Sequence, residues 1–231
     1  AADNGSVEAM RLLAINLDLK CDLLQIEEVI KYYKMAANQG DVESMHKCAL
    51  IYYEGKKVPQ NKEEAIKYYK MAAEKGEKNS VVQYAIMKRN GEGTEVDYEE
   101  ALKYFKIGVE KNDTDAMFHY SLMLLNGEGT QVNIEEGIKY LKSAVDNEST
   151  KAIFCYAQML DLGLYGHQVN KEEAFKFYKK VADYGLIPAM KKCALMLENG
   201  EGVKDADKNE AIKYYKKAAN LGDNDAKSNF D

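Results

Sequence analysis

Apolar and small residues recur along the chain three and four positions apart, and no stretch alternates strictly between apolar and polar residues. This spacing places such residues on one face of an α-helix. In the segment 113–148, Ala116 and Tyr120 mark a first helix, and Ile138 and Leu141 mark a second. The pattern therefore predicts pairs of amphipathic helices and no β-strands.

The helix pairs recur with a period of 36 or 37 residues. Self-similarity at this period is typical of repeat proteins, in which each unit buries its apolar faces against its neighbours. We expect the array to continue in a longer parent protein, because both ends of the chain resemble parts of further units. We predict a single array of units 6–40, 41–76, 77–112, 113–148, 149–185 and 186–222, with partial repeats at 1–5 and 223–231.

Small residues occupy one position of each first helix and one position of each second helix, which predicts close helix approach. An aromatic series in the second helices supplies bulk between them, so we interpret it as packing and not as a cofactor site. The small residues are Ala14, Ala49, Ala85, Ser121, Ala157 and Ala194 in the first helices, and Ala36, Ala72, Gly108, Ala144, Val181 and Ala218 in the second. The aromatic series is Tyr32, Tyr68, Tyr104, Tyr140, Phe177 and Tyr214.

The recurring corner between helices, as in NGEGT from Asn126, contains paired glycines that could suggest a phosphate-binding loop. A loop of that kind follows a strand and carries either lysine with serine or threonine, or a third glycine that opens a helix. The corners have none of these features. Glycine after a helix is instead the usual residue for a left-handed helix end, so the corners are predicted to reverse the chain.

The formal net charge of -6 is spread over interleaved acidic and basic residues, so no basic stripe is available to follow a nucleic-acid backbone. The apolar runs are too short to cross a bilayer. We therefore expect no nucleic-acid partner and no direct membrane insertion. No spacing of histidine or cysteine resembles a metal site, and we expect no metal and no cofactor.

Cysteines and glycosylation sequences point to different compartments. Cys21, Cys48, Cys155 and Cys193 form no closely spaced pair and are interpreted as reduced core thiols, which favours the cytoplasm. The secretory lumen is the alternative, because acceptor triplets begin at Asn4, Asn112 and Asn147.

The stretches EGKKVPQNKEEAIKYYKMAAEKG from Glu54 and NGEGTEVDYEEALKYFKIGVEKN from Asn90 show a glycine corner, an acidic pair with alanine, two aromatic residues and a small pair. This pattern, over essentially the whole chain, resembles the Sel1-like repeat family, a relative of the tetratricopeptide repeats. The resemblance implies an all-α fold, a right-handed α/α superhelical solenoid of about six antiparallel helix-pair repeats. The chain departs from the family in having no tryptophan, in a first unit without paired glycines, and in a longer fifth corner. The corners of the first and fifth units are therefore expected to have distinct shapes.

Some proteins of this family have been associated with penicillin binding, so serine chemistry is the enzymatic alternative. Ser44 and Lys47 fit the spacing S-x-x-K, but the accompanying K-T-G and S-D-N motifs are absent. Ser44 also occupies the repeat position of a packing alanine. The histidines His46, His119 and His167 lie in different units without ligand spacing, so we predict no enzyme and no catalytic residue.

By analogy with tetratricopeptide grooves, the third, sixth, tenth and thirteenth residues of each unit should face the concave side of the array. There we predict an apolar trough with polar groups at its edges that binds a protein or peptide ligand; packing between first helices is the alternative use of these side chains. The predicted partner-binding residues are Tyr53, Val82, Ile86, Arg89, Phe118, Leu122, Leu125, Lys151, Phe154 and Asp161.

The functional prediction that follows is a non-catalytic interaction scaffold or adaptor. The alternatives are a regulatory array attached to a catalytic or membrane domain elsewhere in the parent protein, a luminal quality-control adaptor, and a β-lactam-type hydrolase. The sequence leaves the oligomeric state and the identity of the partner open.

Overall fold

The computed structural model describes residues 6–19 and 26–227, and all regular secondary structure in these residues is helical. The all-helical prediction is confirmed. The first helices of the repeats are α1 Val7–Leu19, α3 Val42–Glu54, α5 Lys78–Asn90, α7 Thr114–Asn126, α9 Thr150–Leu162, α11 Ile187–Asn199 and α13 Asn224–Lys227. The second helices are α2 Ile26–Asn38, α4 Lys62–Glu74, α6 Tyr98–Glu110, α8 Ile134–Asp146, α10 Lys171–Asp183 and α12 Lys208–Asn220.

Most helices begin at a residue whose side chain caps the first turn. The Asp41 carboxylate accepts a hydrogen bond of 2.9 Å from the Ser44 N–H at the start of α3. The Asn61 side chain accepts a bond of 3.0 Å from the Glu64 N–H at the start of α4. These side-chain oxygens accept hydrogen bonds from backbone N–H groups that a helix leaves unpaired at its N-terminus. The capping residues therefore determine where the helices of a repeat begin.

The two glycines of a corner have different roles, shown by the corner after α5. Gly91 has φ 70° and ends the helix, its N–H donating to the Met87 carbonyl. At Gly93 an added Cβ would lie 2.3 Å from the backbone carbonyl of Lys62. The first glycine therefore supplies a left-handed helix end, and the second lets the corner touch the α4 backbone of the preceding repeat.

The fifth corner differs in geometry, as predicted from its extra residue. A 3₁₀ turn spans Leu164–Gly166, and Tyr165 has φ 54° and ψ 35° where other corners have their second glycine. The first corner was also expected to differ, but residues 20–25 lie outside the described part of the chain.

The predicted small residues lie in the helix contacts. All twelve are buried, and those of the first helices, from Ala14 to Ala194, have 0% exposed surface. Gly108 shows how close the approach is, because a Cβ there would lie 2.4 Å from Ala116 Cβ on α7. Dense packing of this kind leaves no room for larger side chains.

The predicted aromatic series also takes part in packing. Tyr104 packs edge-to-face with Tyr84 at a centroid distance of 4.6 Å, and Phe177 lies 5.3 Å from Tyr156 in the same orientation. The next position along each second helix is buried more deeply in five repeats, at Tyr33, Tyr69, Phe105, Leu141 and Tyr178, whereas in the sixth Tyr215 is slightly more exposed than Tyr214.

The described helices fall into two compact units, the first ending at Val132 and the second beginning at Asn133. In the first unit, α1 to α7 pack one against the next. In the second unit, α8 to α12 do the same, and α13 packs on α12. The confirmed feature is this consecutive packing; the single array over the whole chain stays a prediction.

Candidate partner-binding surface

In the first unit, the predicted apolar residues lie on α5 and α7. Val82, Phe118 and Leu125 expose 7%, 9% and 4% of their surface. Ile86 and Leu122 are half-buried. The area available to a ligand therefore comes mainly from Ile86 and Leu122, because the other three side chains are largely consumed by packing.

Tyr53, at the end of α3, is held by the next repeat. Its hydroxyl donates to Glu92 Oε2 at 3.3 Å, and the Lys62 ammonium lies 5.7 Å from its ring centroid. Burial is the main cause that raises the pKa of Tyr53, and the negative charge of Glu92 is the second. The hydroxyl therefore keeps its proton at neutral pH.

Arg89 forms the best-defined ion pair among the predicted residues. Its Nε and Nη2 donate to the two carboxylate oxygens of Glu128 at 2.6 and 3.1 Å. The Arg89 hydrogen bonds hold the pKa of Glu128 below its usual value. Arg89 is thus fixed against the corner that follows α7, and its positive charge is already paired within the protein.

The remaining predicted residues lie in the second unit, on α9. Lys151 is exposed, and Phe154 is half-buried with its ring 5.5 Å from that of Tyr178. Asp161 exposes 7% of its surface and accepts from Lys192 Nζ at 3.1 Å and from the Tyr178 hydroxyl at 3.5 Å. Asp161 therefore connects α9 with α10 and α11.

Two of the predicted polar residues, Tyr53 and Arg89, share a structural role that was not predicted from the sequence. In the first unit, the thirteenth residue of a repeat contacts the following corner, as in the pairs Asp18–Lys57, Tyr53–Glu92 and Arg89–Glu128. The signal that could have revealed these contacts is the glutamate between paired glycines, which recurs as Glu92, Glu128 and Glu201. A carboxylate that is partly removed from water at the same position of several repeats needs a positively charged or hydrogen-bonding partner, and here the preceding repeat supplies it.

In the described residues, no base lies in hydrogen-bonding position to activate Ser44 as a nucleophile. Its Oγ is buried and lacks a hydrogen-bond partner, and its N–H is engaged by Asp41. His46 Nδ1 lies 2.9 Å from Ser80 Oγ and 3.2 Å from Glu77 Oε2. In a catalytic triad the serine and the carboxylate contact opposite ring nitrogens, whereas here both contact the same one.

No group of His, Cys, Asp and Glu in the described residues could hold a metal ion. Cys48 and Cys193 are buried free thiols whose pKa is raised to about 12, chiefly by burial. Cys155 is a half-buried free thiol with a raised pKa for the same reason. Cys21 lies outside the described residues.

A family model of the Sel1 repeat matches residues 29–41, 42–77, 80–113, 114–149, 150–185 and 187–223, which is more than half of the chain. The chain belongs to the Sel1 repeat family. Proteins with Sel1 repeats are generally protein-interaction scaffolds and are typically non-catalytic. A search of curated proteins found no match to this Sel1 repeat chain.

Solved structures share the fold. A protective antigen of uropathogenic Escherichia coli with an SLR fold is 23% identical, with a TM-score of 0.82 over 99% of this chain and 49% of its own. A Sel1 repeat protein of Oxalobacter formigenes is 22% identical, with a TM-score of 0.81 over 93% of this chain and 85% of its own. An immunity protein of Pseudomonas aeruginosa is 16% identical, with a TM-score of 0.58 over 94% and 82%. The Sel1 chain thus spans about half of the antigen's length.

Within the described residues, no helix of this Sel1 repeat chain has the length and apolar character that crossing a membrane requires. The predicted binding residues fall into two sets, one in each compact unit. Their union into one trough, and the choice of these residues for partner binding, stay predictions.

Proposed function

We propose that this Sel1 repeat chain is a non-catalytic scaffold that binds a protein or peptide partner on its first helices. The observation that carries the proposal is the combination of half-buried Ile86 and Leu122 with two polar side chains that the following repeat holds in place, Tyr53 and Arg89. A rigid polar edge lowers the entropy lost on binding, and apolar area supplies the driving force.

The test begins with identification of the partner through a photo-crosslinking amino acid placed singly at Ile86 or Leu122 in cells that make the protein. The recovered partner is then purified, and its affinity is measured by titration calorimetry. We expect Ile86→Asp and Leu122→Asp to weaken binding by about tenfold or more, because each places a charge on the apolar contact.

The matched control is Leu221→Asp, which introduces the same charge at an apolar residue with 55% exposed surface outside the first helices. Its affinity should equal that of the unaltered protein. Equal affinity for all three variants, with unchanged helical circular dichroism, would refute binding at this surface.

We also propose the cytoplasm as the compartment, supported by the buried, protonated thiols of Cys48 and Cys193. Asn112 and Asn147 are exposed, so both would be accessible acceptors in a secretory lumen. Mass spectrometry of native material should therefore find both side chains unmodified. A glycan on either residue would overturn this proposal.

A further inference from the structure

In the second unit, a groove of about 640 Å³ lies between α10 and the corner that follows α11. Its apolar lining consists of Phe175 and Val203, both half-buried. Its charged lining consists of exposed side chains, namely Lys176, Lys179 and Lys204 with Glu172. We call this feature the second-unit groove; its volume is within the usual range for ligand-sized clefts.

The charges of the second-unit groove are not balanced from within. Lys176 pairs with Glu172 at 2.8 Å, which neutralises one lysine. Among the described residues, no carboxylate forms a salt bridge with Lys179 or Lys204. The nearest acidic residues along the chain are Asp183 and Asp205, and neither lines the groove. Two cations therefore border an apolar surface in a chain whose net charge is -6.

The first unit contains the repeat-equivalent groove, which provides an internal comparison. It has a volume of about 300 Å³ and lies between α4 and the corner after α5, with Ile66, Lys67 and Lys70 at the positions of Phe175, Lys176 and Lys179. Here each cation already has a carboxylate close by. Lys67 lies 2.7 Å from Glu64, Lys88 lies 3.0 Å from Glu100, and Lys70 lies 3.9 Å from Glu100.

The difference between the two grooves arises at two positions. In the corner, Lys204 stands where the first unit has Glu95. The second position is that of Lys88. Lys88 draws Glu100 toward the groove of the first unit. Its counterpart in the sixth repeat is Leu197, and the counterpart of Glu100, Glu210, pairs instead with Lys213 at 2.7 Å. The second-unit groove therefore lacks the internal carboxylate that its equivalent has.

We propose that the second-unit groove binds an acidic peptide segment of a partner protein. Carboxylates of the segment pair with Lys179 and Lys204, and one apolar side chain of the segment packs on Phe175 and Val203. Exposed ion pairs add little affinity singly, so the apolar contact sets the strength and the lysines set the selection for acidic sequence. This surface is separate from the first-helix residues of the proposed scaffold function.

The test measures fluorescence anisotropy of a short fluorescein-labelled peptide of aspartate and glutamate around a single phenylalanine, titrated with the full chain. We expect saturable binding that weakens as salt is raised, because salt screens exposed charges. The double variant Lys179→Glu/Lys204→Glu should weaken binding by about tenfold or more. Replacing the phenylalanine of the peptide by glycine should also weaken it.

The matched control reverses charge in the equivalent groove of the first unit, with Lys67→Glu/Lys70→Glu. This variant should bind the peptide as the unaltered chain does, and circular dichroism melts should show that both variants fold. Absence of binding, or equal loss in the two double variants, would overturn the proposal. Two other results would also overturn it, because each would show that the groove binds something else. They are equally tight lysine-dependent binding of phosphatidylserine vesicles, and lysine-dependent self-association in place of peptide binding.

Discussion

Within the described chain, Asn112, Glu148 and Tyr165 hold a left-handed backbone without being glycine, at φ 55°, 60° and 54°. Asn112 and Glu148 end second helices, where other repeats have glycines such as Gly76 and Gly185. A side chain in this region costs about 1–2 kcal/mol. At these positions the chain is therefore less stable than it would be with the glycine that other repeats have there.

Glu148→Gly should raise the free energy of unfolding by about 1 kcal/mol, since glycine adopts this conformation without steric cost. The lost ion pair with Lys180 is exposed and contributes little. Urea denaturation followed by circular dichroism measures the change. The converse variant Gly185→Ala, at φ 93° with open space around its Cβ, should lower stability by a similar amount; a shift of the same sign in both variants would contradict the explanation.

The two glycines of a corner should respond differently to a methyl group. In Gly202→Ala the Cβ would lie 2.2 Å from the Lys171 carbonyl oxygen, whereas in Gly200→Ala the nearest atom is 3.5 Å away. Gly200→Ala should cost about 1 kcal/mol from backbone strain alone. Gly202→Ala should cost about 1–3 kcal/mol more, because the corner must move away from α10. Thermal melts of both variants provide the measurement, and equal losses would show that the contact is not tight.

At the scale of the helix and its corner, the ion pair between Arg89 and Glu128 should make stability depend on pH. Because Glu128 has a lowered native pKa, its stabilisation is present above the unfolded value of about 4.3 and is lost as pH falls through the native pKa. Glu128→Gln should therefore lower stability by about 1 kcal/mol at pH 7 and by progressively less at low pH, as the Glu128 carboxylate becomes protonated. Urea denaturation at several pH values tests this expectation.

Glu172→Gln is the control, because the pair of Glu172 with Lys176 is largely exposed and should show no measurable effect at either pH. A Glu128 effect that persisted unchanged at low pH would mean that packing, and not charge, carries the interaction.

The periodicity of the sequence predicted the helices and their small contact residues. It could do so because a small residue such as Ala49 or Ala157 is buried at the same position of every repeat. Helical spacing places Glu63 and Glu172 four residues before Lys67 and Lys176, where ion pairs are favourable. Lys176 does bind Glu172, but Lys67 binds Glu64 in place of Glu63. A surface lysine can reach several carboxylates of similar energy, so spacing alone does not choose among them. Contacts between repeats, such as Arg89 with Glu128, depend on side-chain direction, which periodicity does not give.

For the candidate site, the sequence left open how much of each apolar side chain is used in packing: Val82, Phe118 and Leu125 are buried, whereas Ile86 and Leu122 are half-buried. Positions that face the groove in an ideal repeat are shared with the contact between adjacent first helices. How much of each side chain remains exposed depends on the size of its neighbours, which differs from repeat to repeat.

At the scale of the whole molecule, the rates at which Cys48 and Cys193 are labelled measure how often the first and the second compact unit open. Their raised thiol pKa of about 12 and their burial should make native labelling slow at pH 8, and half-buried Cys155 should react faster. Since helices contact chiefly their neighbours in sequence, Gly202→Ala should accelerate labelling of Cys193 more than of Cys48.

The measurement is alkylation followed by mass spectrometry in a Cys21→Ser background. Equal acceleration at Cys48 and Cys193 would show instead that the chain opens as one cooperative unit.

The backbone contact of Gly202 with Lys171 also determines where extra segments can enter the chain. The stretch from Gly202 to Asp207 is already one residue longer than the matching stretch from Gly93 to Asp97. An epitope tag inserted after Asp205 should therefore leave the melting temperature nearly unchanged, whereas the same tag between Gly200 and Gly202 should lower it. New loops, and the specificities they bring, can thus be added to a repeat downstream of its second glycine without altering its helices.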